Sequence, residues 1–295
     1  MSEPAAINPE EILGSVSIQR RRKDAAGRAA LLAGTLIALV PLVLIVFFLL
    51  KKGLGAWSLH FFTTDPTGNF FGDQGGIRSA IVGTLMIMLL GGLLAIPAGI
   101  AVALYVTEYA DKNAFGRFMR FLMNVMTGVP SIVMGLFIYV TWTLQFGYSA
   151  FGGALALACL MLPVVIGSTE QMLKLVPNHL REASYAVGTS KSRTILTVVL
   201  PAAMPGIISG SLLAVARAAG ETAPLLFATG AATEYNPNLF VEANTALSLQ
   251  IFGNATSSFV AAQDRAWGAA LTLVLLTFFI TLIARFVTAR FARRR

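Results

Sequence analysis

The stretch from Arg217 to Pro224 reads Arg-Ala-Ala-Gly-Glu-Thr-Ala-Pro and places a cation and an anion inside an otherwise apolar run. A charged residue at the centre of a membrane helix costs about 2.5–3.5 kcal/mol, whereas an i,i+4 ion pair returns only about 0.2–0.5 kcal/mol in an isolated helix. Local helix stability therefore does not explain these charges. A guanidinium matches the oxygens of a tetrahedral oxyanion with two hydrogen bonds, so Arg217 is a candidate anion ligand. Glu221 would hold Arg217 in position or become its partner when the anion leaves, and Thr222 would add a hydroxyl donor.

These charged residues also have structural interpretations. Arg217 and Glu221 could form a buried ion pair that only fixes the packing of neighbouring helices. Arg78 stands at the outer end of another apolar run, where it could attract an incoming anion or anchor its helix at the membrane interface. We place Arg217, Glu221, Thr222 and Arg78 together as candidate residues of a substrate pathway.

A second polar motif lies in residues 177–205, between two apolar runs. Its positions are Glu182, Ala183, Ser184, Gly188, Leu200 and Pro201. Gly188 is typical of a residue that ends a helix, and Pro201 is expected to break the next one, so the segment is predicted to form an exposed helix-turn-helix. Small side chains such as Ala183 allow a partner helix to approach closely, and Glu182 can pair with a basic group on that partner.

The sequence contains no pattern for binding ATP or a metal ion. No Gly-x-x-x-x-Gly-Lys-Ser/Thr phosphate loop occurs, and the nearest string, residues 188–192, has the wrong spacing to surround phosphates with backbone N–H groups. Cys159 is the single cysteine, and His60 and His179 stand alone, so no metal site or redox chemistry is predicted. We expect no enzyme activity and no cofactor, and ATP hydrolysis would take place on a separate chain.

The composition is that of a membrane protein. Of the 295 residues, 56% are hydrophobic and 12% are charged, against about 25% charged residues in ordinary globular proteins. This polar fraction is too small to cover a water-soluble core. The net charge of +8 does not indicate nucleic-acid binding, because the basic residues are dispersed between apolar runs.

Six apolar runs are long enough to cross roughly 30 Å of hydrocarbon as helices. They are predicted at residues 29–50, 77–107, 121–145, 152–173, 206–230 and 266–287. The first run is longer than the apolar part of a cleavable signal peptide and is followed by Lys51 and Lys52, so we interpret it as an uncleaved span. We predict an all-α membrane protein with a cytoplasmic N-terminal segment 1–28, a first transmembrane helix 29–50 and a core over residues 75–290.

The distribution of Lys and Arg predicts that both termini face the cytoplasm. In that orientation the cytoplasmic segments contain 17 basic residues, the outer segments contain 4, and Arg217 lies within a span. The outer segment 231–265 is long and includes an apolar stretch near residues 246–252. We interpret it either as a surface loop with one amphipathic turn or as an interfacial helix or docking surface.

The spacing within segment 177–205 resembles the pattern shared by inner-membrane permease subunits of bacterial ABC importers, which is Glu-Ala-Ala, three residues, Gly, nine residues, Ile, one residue, Leu-Pro. Ser184 in place of Ala and Val198 in place of Ile are substitutions of similar size. The stretch 217–227 resembles PstA-type subunits of phosphate importers rather than PstC-type sister subunits. Further strings that resemble the same family lie at 75–85, 107–110 and 128–137. The resemblance covers about residues 75–290.

This resemblance implies the fold of a type I ABC importer permease (MetI-like) and a pathway for inorganic phosphate that opens by alternating access in the bacterial inner membrane. It also implies a PstC-like sister permease, two PstB-like cytoplasmic ATPase subunits bound near Glu182, and a PstS-like extracytoplasmic phosphate-binding protein. The same architecture could carry another oxyanion, such as sulfate or molybdate. An ATP-independent secondary transporter and a purely structural subunit are the alternatives of a different class.

Overall fold

The computed structural model describes residues 18–68, 75–110 and 113–293, and these residues form helices without any β-strand. The chain divides after Lys51 into two compact units. Residues 1–17 of the predicted N-terminal segment 1–28 lie outside the described residues. The helices are α1 Ile18–Ala56, α2 Leu59–Thr63, α3 Arg78–Tyr109, α4 Ala114–Gly128, α5 Ser131–Phe146, α6 Ala150–Lys174, α7 Asn178–Ala186, α8 Lys191–Ala218, α9 Ala223–Ala228, α10 Leu247–Ala255 and α11 Val260–Arg293.

α1 contains all described residues of the first unit and comprises 39 residues. At about 1.5 Å per residue, a helix of this length exceeds the roughly 30 Å of hydrocarbon in a bilayer. It extends the predicted span 29–50 by about three turns at its N-terminal end, where residues 20–23 are all basic. The apolar part of α1 is therefore long enough to cross the membrane, while its basic first turns reach beyond the hydrocarbon.

α3 and α6 form the centre of the second unit, and glycines bring them close together. A Cβ atom added to Gly91 would lie 3.1 Å from the Ala154 carbonyl oxygen, and one added to Gly99 would lie 2.7 Å from a side-chain carbon of Val165. Without side chains at these positions the backbones approach closely, which increases the dispersion contacts by which membrane helices associate. Buried Ala214 of α8 packs against the same core.

The predicted third span 121–145 is not one straight helix. α4 and α5 meet at a break with a bend of 104°. The ring of Pro130 disfavours helical backbone at Val129, whose ψ is 126°, and Pro130 has no N–H to continue the helix. The described residues contain five candidate membrane spans, or six when α4 and α5 are counted as one broken span.

The fifth span also differs from its prediction at 206–230. α8 begins at Lys191 and continues to Ala218, so the expected helix break at Pro201 is absent. The turn Ile195–Val199 is a π-helix, and its wider hydrogen-bond spacing accommodates a proline that cannot donate an N–H. α9 follows α8 after a break of four residues.

The outer segment 231–265 contains a helix, α10, whose first turn is buried. Leu247, the first residue of α10, has no exposed surface. Its N–H donates a hydrogen bond of 2.8 Å to the hydroxyl of Thr84 in α3. The neighbouring Ser248 and Leu249 are also buried. The apolar stretch is therefore amphipathic: its first residues pack in the core of the second unit, whereas Phe252 in the same helix is exposed.

Gly83 of α3 permits this close approach, and its replacement tests the packing. A Cβ atom at Gly83 would overlap the carbonyl oxygen of Thr245, a backbone atom that has no alternative rotamer. We expect Gly83→Ala to lower the melting temperature of the detergent-purified protein by several degrees, since overpacking costs about 1–3 kcal/mol and each kcal/mol corresponds to about 2–4 °C.

Gly167→Ala provides the matched control for this substitution. A Cβ atom at Gly167, in the interior of α6, meets no atom within 4 Å. Ala is intrinsically better than Gly in a helix by about 1 kcal/mol, so this variant is expected to melt at the same temperature as the unmodified protein or higher. An unchanged melting temperature in Gly83→Ala would contradict the tight contact with Thr245.

Candidate functional site

A cavity of about 230 Å³ lies where α4, α5 and α8 end or bend. Its walls come from the break between α4 and α5, from the middle of α6 and from the last turn of α8. The lining residues include Thr127, Pro130, Ser131, Met161, Arg217 and Glu221. Two of the predicted pathway residues, Arg217 and Glu221, therefore share one cavity.

Arg217 brings a positive charge to the wall of this cavity. It lies in the last turn of α8, where the negative end of the helix dipole favours a cation. The side chain is exposed, and within the described part of the chain its guanidinium has no hydrogen bond or ion pair. Its donors are therefore available to an anion that enters the cavity.

Glu221 lies in the same cavity but does not pair with Arg217, since no N–O distance of 4.0 Å or less joins the two side chains. The cause is the end of α8 at Ala218, which removes the helical i,i+4 geometry on which such a pair depends. The Glu221 N–H instead donates to the Ala218 carbonyl at 3.1 Å. Its carbonyl accepts a hydrogen bond of 3.0 Å from the Ser248 hydroxyl, which links this turn to α10.

The break between α4 and α5 supplies polar groups to the opposite wall. Ser131 is the first residue of α5 and lines the cavity together with Pro130. The first N–H groups of a helix have no acceptor within that helix, and its N-terminus is the positive end of the dipole. Thr127 also lines the cavity, and its hydroxyl donates to the Asn124 carbonyl at 2.7 Å. The cavity therefore combines a guanidinium with a helix N-terminus.

Arg78 lies apart from the cavity and is engaged in an ion pair. Its Nε and Nη2 donate to the two carboxylate oxygens of Asp65 at 3.1 and 2.5 Å. Asp65 also accepts the N–H of Ser79 at 2.9 Å and so caps the beginning of α3. The Arg78 side chain is 54% exposed. The guanidinium of Arg78 is therefore engaged by Asp65, and its role in a substrate pathway stays a prediction.

Other residues considered in the sequence also lie outside the cavity lining. Thr222 is half-buried and directly precedes α9. Cys159 is a half-buried thiol of α6. Across residues 18–68, 75–110 and 113–293, no three His, Cys, Asp or Glu side chains lie close enough together to hold a metal ion.

α7 and the first turn of α8 form the helix-turn-helix predicted for segment 177–205. Gly188 follows the end of α7 and has a φ of +80°, a left-handed conformation that glycine adopts without strain. The hydroxyls of Ser184 and Thr194 lie 2.8 Å apart, so a hydrogen bond joins the two helices across the turn. The local geometry agrees with the prediction made from Gly188.

The remaining motif residues divide into exposed and half-buried positions. Glu182 and Ala183 are exposed on α7, a helix in which no residue is buried. Leu200 packs against a small apolar cluster, and Pro201 follows it in α8. The helix α7 therefore presents its surface outward, while Leu200 and Pro201 belong to a membrane span.

Ion pairs next to α7 were not identified from the sequence. The guanidinium of Arg181 lies 2.9 Å from the carboxylate of Glu108. Arg120 and Lys174 both contact Glu170, at 2.8 and 2.7 Å. In the sequence these residues stand near the ends of apolar runs, where charged residues are ordinary. The partners Arg181 and Glu108 are 73 positions apart, and no local pattern reveals such pairing.

Comparisons with known proteins give the family. Residues 95–295 match the family described as binding-protein-dependent transport system inner membrane component. The phosphate transport system permease protein PstA 1 of Mycobacterium tuberculosis is 39% identical over 284 residues, which cover 95% of this chain and 93% of that protein. The protein PstA of Yersinia pestis is 38% identical over 273 residues, which cover 92% of each chain.

Solved structures share the fold. One chain of a bacterial ABC transporter involved in the import of the acidic polysaccharide alginate aligns with a TM-score of 0.62 and 17% identity, covering 91% of this chain and 96% of that chain. A chain of the MetNI methionine ABC transporter in an inward-facing conformation aligns with a TM-score of 0.61 and 16% identity, covering 73% and 95%. The predicted all-α, MetI-like permease fold is confirmed. The chain belongs to the family of binding-protein-dependent transport system inner membrane components, among its PstA-type permeases.

Proposed function

We propose that this chain is the permease subunit of an ATP-driven importer of inorganic phosphate and that it forms the translocation pathway together with a sister permease. The observation that carries the proposal is the guanidinium of Arg217 on the wall of a cavity, without a partner among the described residues. A charge within a membrane-spanning helix is costly and marks a solute pathway more often than a structural position. The PstA proteins of Mycobacterium tuberculosis and Yersinia pestis support phosphate as the solute.

The cavity suits a small tetrahedral anion in size and chemistry. Its volume of about 230 Å³ equals that of several water molecules at about 30 Å³ each. Arg217 can donate two parallel hydrogen bonds to phosphate oxygens. The hydroxyl and the N–H of Ser131, the first residue of α5, can donate from the opposite wall. Phosphate would therefore be held between α8 and the α4–α5 break.

Alternating access gives Arg217 and Glu221 successive roles. In the state loaded from outside, Arg217 binds the anion released by the extracytoplasmic binding protein. The carboxylate of Glu221 lies in the same cavity, repels the anion and offers Arg217 a partner after the anion has left. The sharp break between α4 and α5 provides a joint at which one wall of the cavity can move.

The partners follow from the same proposal. We place both termini, α7 and the basic loops in the cytoplasm, in agreement with the asymmetry of Lys and Arg in the sequence. The exposed α7 would bind one of two PstB-like ATPase subunits, a PstC-like permease would complete the pathway, and a PstS-like protein would deliver phosphate from outside. The chain would catalyse no bond change, and hydrolysis on the ATPase would supply the energy.

Reconstitution of the complete importer tests the substrate and the energy source. The vesicles contain this chain, the sister permease and the ATPase. The phosphate-binding protein is added on the side of the membrane that corresponds to the cell exterior, and ATP is supplied on the side of the ATPase. We expect uptake of radiolabelled phosphate that requires ATP and persists when ion gradients are collapsed. Sulfate at the same concentration is expected to leave phosphate uptake unchanged. An anion that competes equally well would instead lower phosphate uptake by about half.

Each rival function predicts a different result in the same vesicles. If sulfate or molybdate at equal concentration lowered phosphate uptake, the substrate would be another oxyanion rather than phosphate. Uptake that is driven by an ion gradient in vesicles without the ATPase would indicate a secondary transporter. Uptake that survives neutral replacement of Arg217 would leave this chain with a purely structural role.

A further inference from the structure

Arg181 connects the exposed helix α7 to two membrane spans through one side chain. Its Nη1 donates to the carbonyl of Val176 at 2.6 Å. Its Nη2 donates to the carbonyl of Leu173 at 3.0 Å and to the carboxylate of Glu108 at 2.9 Å. Leu173 lies in the last turn of α6 and Val176 follows just after it, so Arg181 binds two carbonyls at the C-terminal end of this helix, the negative end of its dipole. Glu108 lies in the π-helical last turn of α3.

These contacts are shielded from solvent although α7 itself is exposed. The side chains of Arg181 and Glu108 are 15% and 8% exposed. No residue of α7 is buried, so polar contacts are important for holding this helix against the spans. Besides the hydrogen bond between the hydroxyls of Ser184 and Thr194, the side chain of Arg181 supplies polar contacts that join α7 to the described helices α3 and α6.

A second ionic contact continues from α3 toward the cavity. Arg120 of α4 donates to the carbonyl of Val106, in the same π turn as Glu108, at 3.3 Å. It also donates to the carboxylate of Glu170 in α6 at 2.8 Å. α4 then leads to the break at Pro130 that lines the cavity. Rigid helices joined by such contacts can carry a displacement from α7 to the wall that faces Arg217.

We propose that Arg181 is a positioning residue that transmits the movement of α7 to α3 and α6 through its ion pair with Glu108 and its hydrogen bonds to the end of α6. The inference rests on the proposed function, because it requires an ATPase that moves α7. Loss of the connection would leave the ATPase bound and active while the spans no longer follow it. The observable consequence is a smaller number of phosphate ions imported per ATP hydrolysed.

The test measures both rates in vesicles that contain the complete importer and the phosphate-binding protein. For Arg181→Met we expect ATPase copurification and hydrolysis within about twofold of the unmodified importer and uptake per ATP at least about tenfold lower. Glu108→Gln keeps the size of the side chain and is expected to lower the ratio by about threefold or more. Arg117→Met, which removes an exposed cation of α4, is the matched control and should retain the ratio.

A double-variant cycle separates one connection from two independent effects. If both residues act through their ion pair, Arg181→Met combined with Glu108→Gln lowers uptake per ATP no further than Arg181→Met alone. Multiplication of the two effects would overturn the proposal. So would an unchanged ratio, or a parallel loss of hydrolysis and uptake, since the parallel loss indicates that Arg181 only supports docking or folding.

The unmodified importer distinguishes this inference from the proposed function. If it imports phosphate and Arg181→Met retains the ratio, only the transmission role fails. If the unmodified importer does not import phosphate, the proposed function fails. Should Arg181→Met not assemble, Glu108→Gln decides alone, because it preserves shape and hydrogen bonding, and a ratio equal to that of the unmodified importer would overturn the proposal.

Discussion

Arg217→Gln is expected to lower ATP-dependent phosphate uptake by at least about 100-fold, since two charge-assisted hydrogen bonds contribute about 1.5–3 kcal/mol each. Gln preserves a polar side chain of similar length but neither the charge nor the planar fork. Arg217 has no bond to the described part of the chain, so its replacement removes no contact that holds the fold. Uptake is measured in reconstituted vesicles, and copurification of the sister permease and the ATPase reports assembly.

Three companion variants of this chain make the result specific. Arg217→Lys keeps the charge but lacks the planar guanidinium. It is expected to retain roughly a tenth of the uptake, because one of two charged hydrogen bonds is lost. Arg117→Gln removes an exposed cation elsewhere in the second unit and should transport normally. The double variant Arg217→Gln with Glu221→Gln is expected to remain inactive. If the double variant recovered uptake, the two residues would be a charge-balancing pair rather than an anion site.

Glu182→Lys is expected to reduce the amount of ATPase that copurifies with the permease by about tenfold or more. Glu182 is exposed on α7, and a carboxylate on a docking helix pairs with a basic group of its partner. Reversal of its charge converts this attraction into repulsion, and like charges that face each other across an interface disfavour the complex. The measurement is the ratio of ATPase to permease after affinity purification through the permease.

The controls for Glu182→Lys separate charge from general damage. Glu182→Gln removes the charge without reversing it and should lower copurification less than Glu182→Lys does. Asp24→Lys reverses the charge of a carboxylate in α1, outside the coupling segment, and is expected to copurify normally. Recovery of equal amounts of ATPase with Glu182→Lys would count against a docking role for α7. Raised salt should weaken the unmodified interaction if exposed charges contribute to it.

Both variants are expected to differ from Arg181→Met in their pattern of defects. Arg217→Gln removes an anion ligand, so the importer assembles and uptake fails. Glu182→Lys acts at the ATPase, so assembly itself declines. Arg181→Met leaves assembly and hydrolysis intact and lowers only the phosphate imported per ATP. Measurements of copurification, ATP hydrolysis and phosphate uptake therefore separate substrate binding, docking of the ATPase and transmission.

Composition and hydrophobic length determined the fold class and most of the spans. An apolar run of about 20 residues has to satisfy its backbone internally in lipid, so it forms a helix whatever surrounds it. For that reason the positions of α3, α6 and α11 agree with predictions made from single segments. Local turn chemistry was equally informative, as the left-handed glycine at the end of α7 illustrates.

Only the tertiary structure decided where helices break and which apolar stretch is buried. A proline such as Pro130 or Pro201 is compatible with a sharp bend or with a continuous helix, because neighbouring helices and π turns satisfy the freed backbone groups. The sequence therefore could not determine the angle of the bend at Pro130, which is 104°, and the break predicted at Pro201 is wrong, because α8 passes through this residue. Burial of the first turn of α10 likewise depends on α3, which approaches it at a glycine.

The candidate site shows the same division. The sequence alone singled out Arg217 and Glu221, because charges inside an apolar run are costly enough to require an explanation. It could not tell whether the two residues pair, since this depends on the end of α8 at Ala218. The ion pair between Arg181 and Glu108 could not be predicted from the sequence, for a further reason. Long-range pairing of charges depends on how distant helices are packed, and a single sequence contains no local signal for that packing.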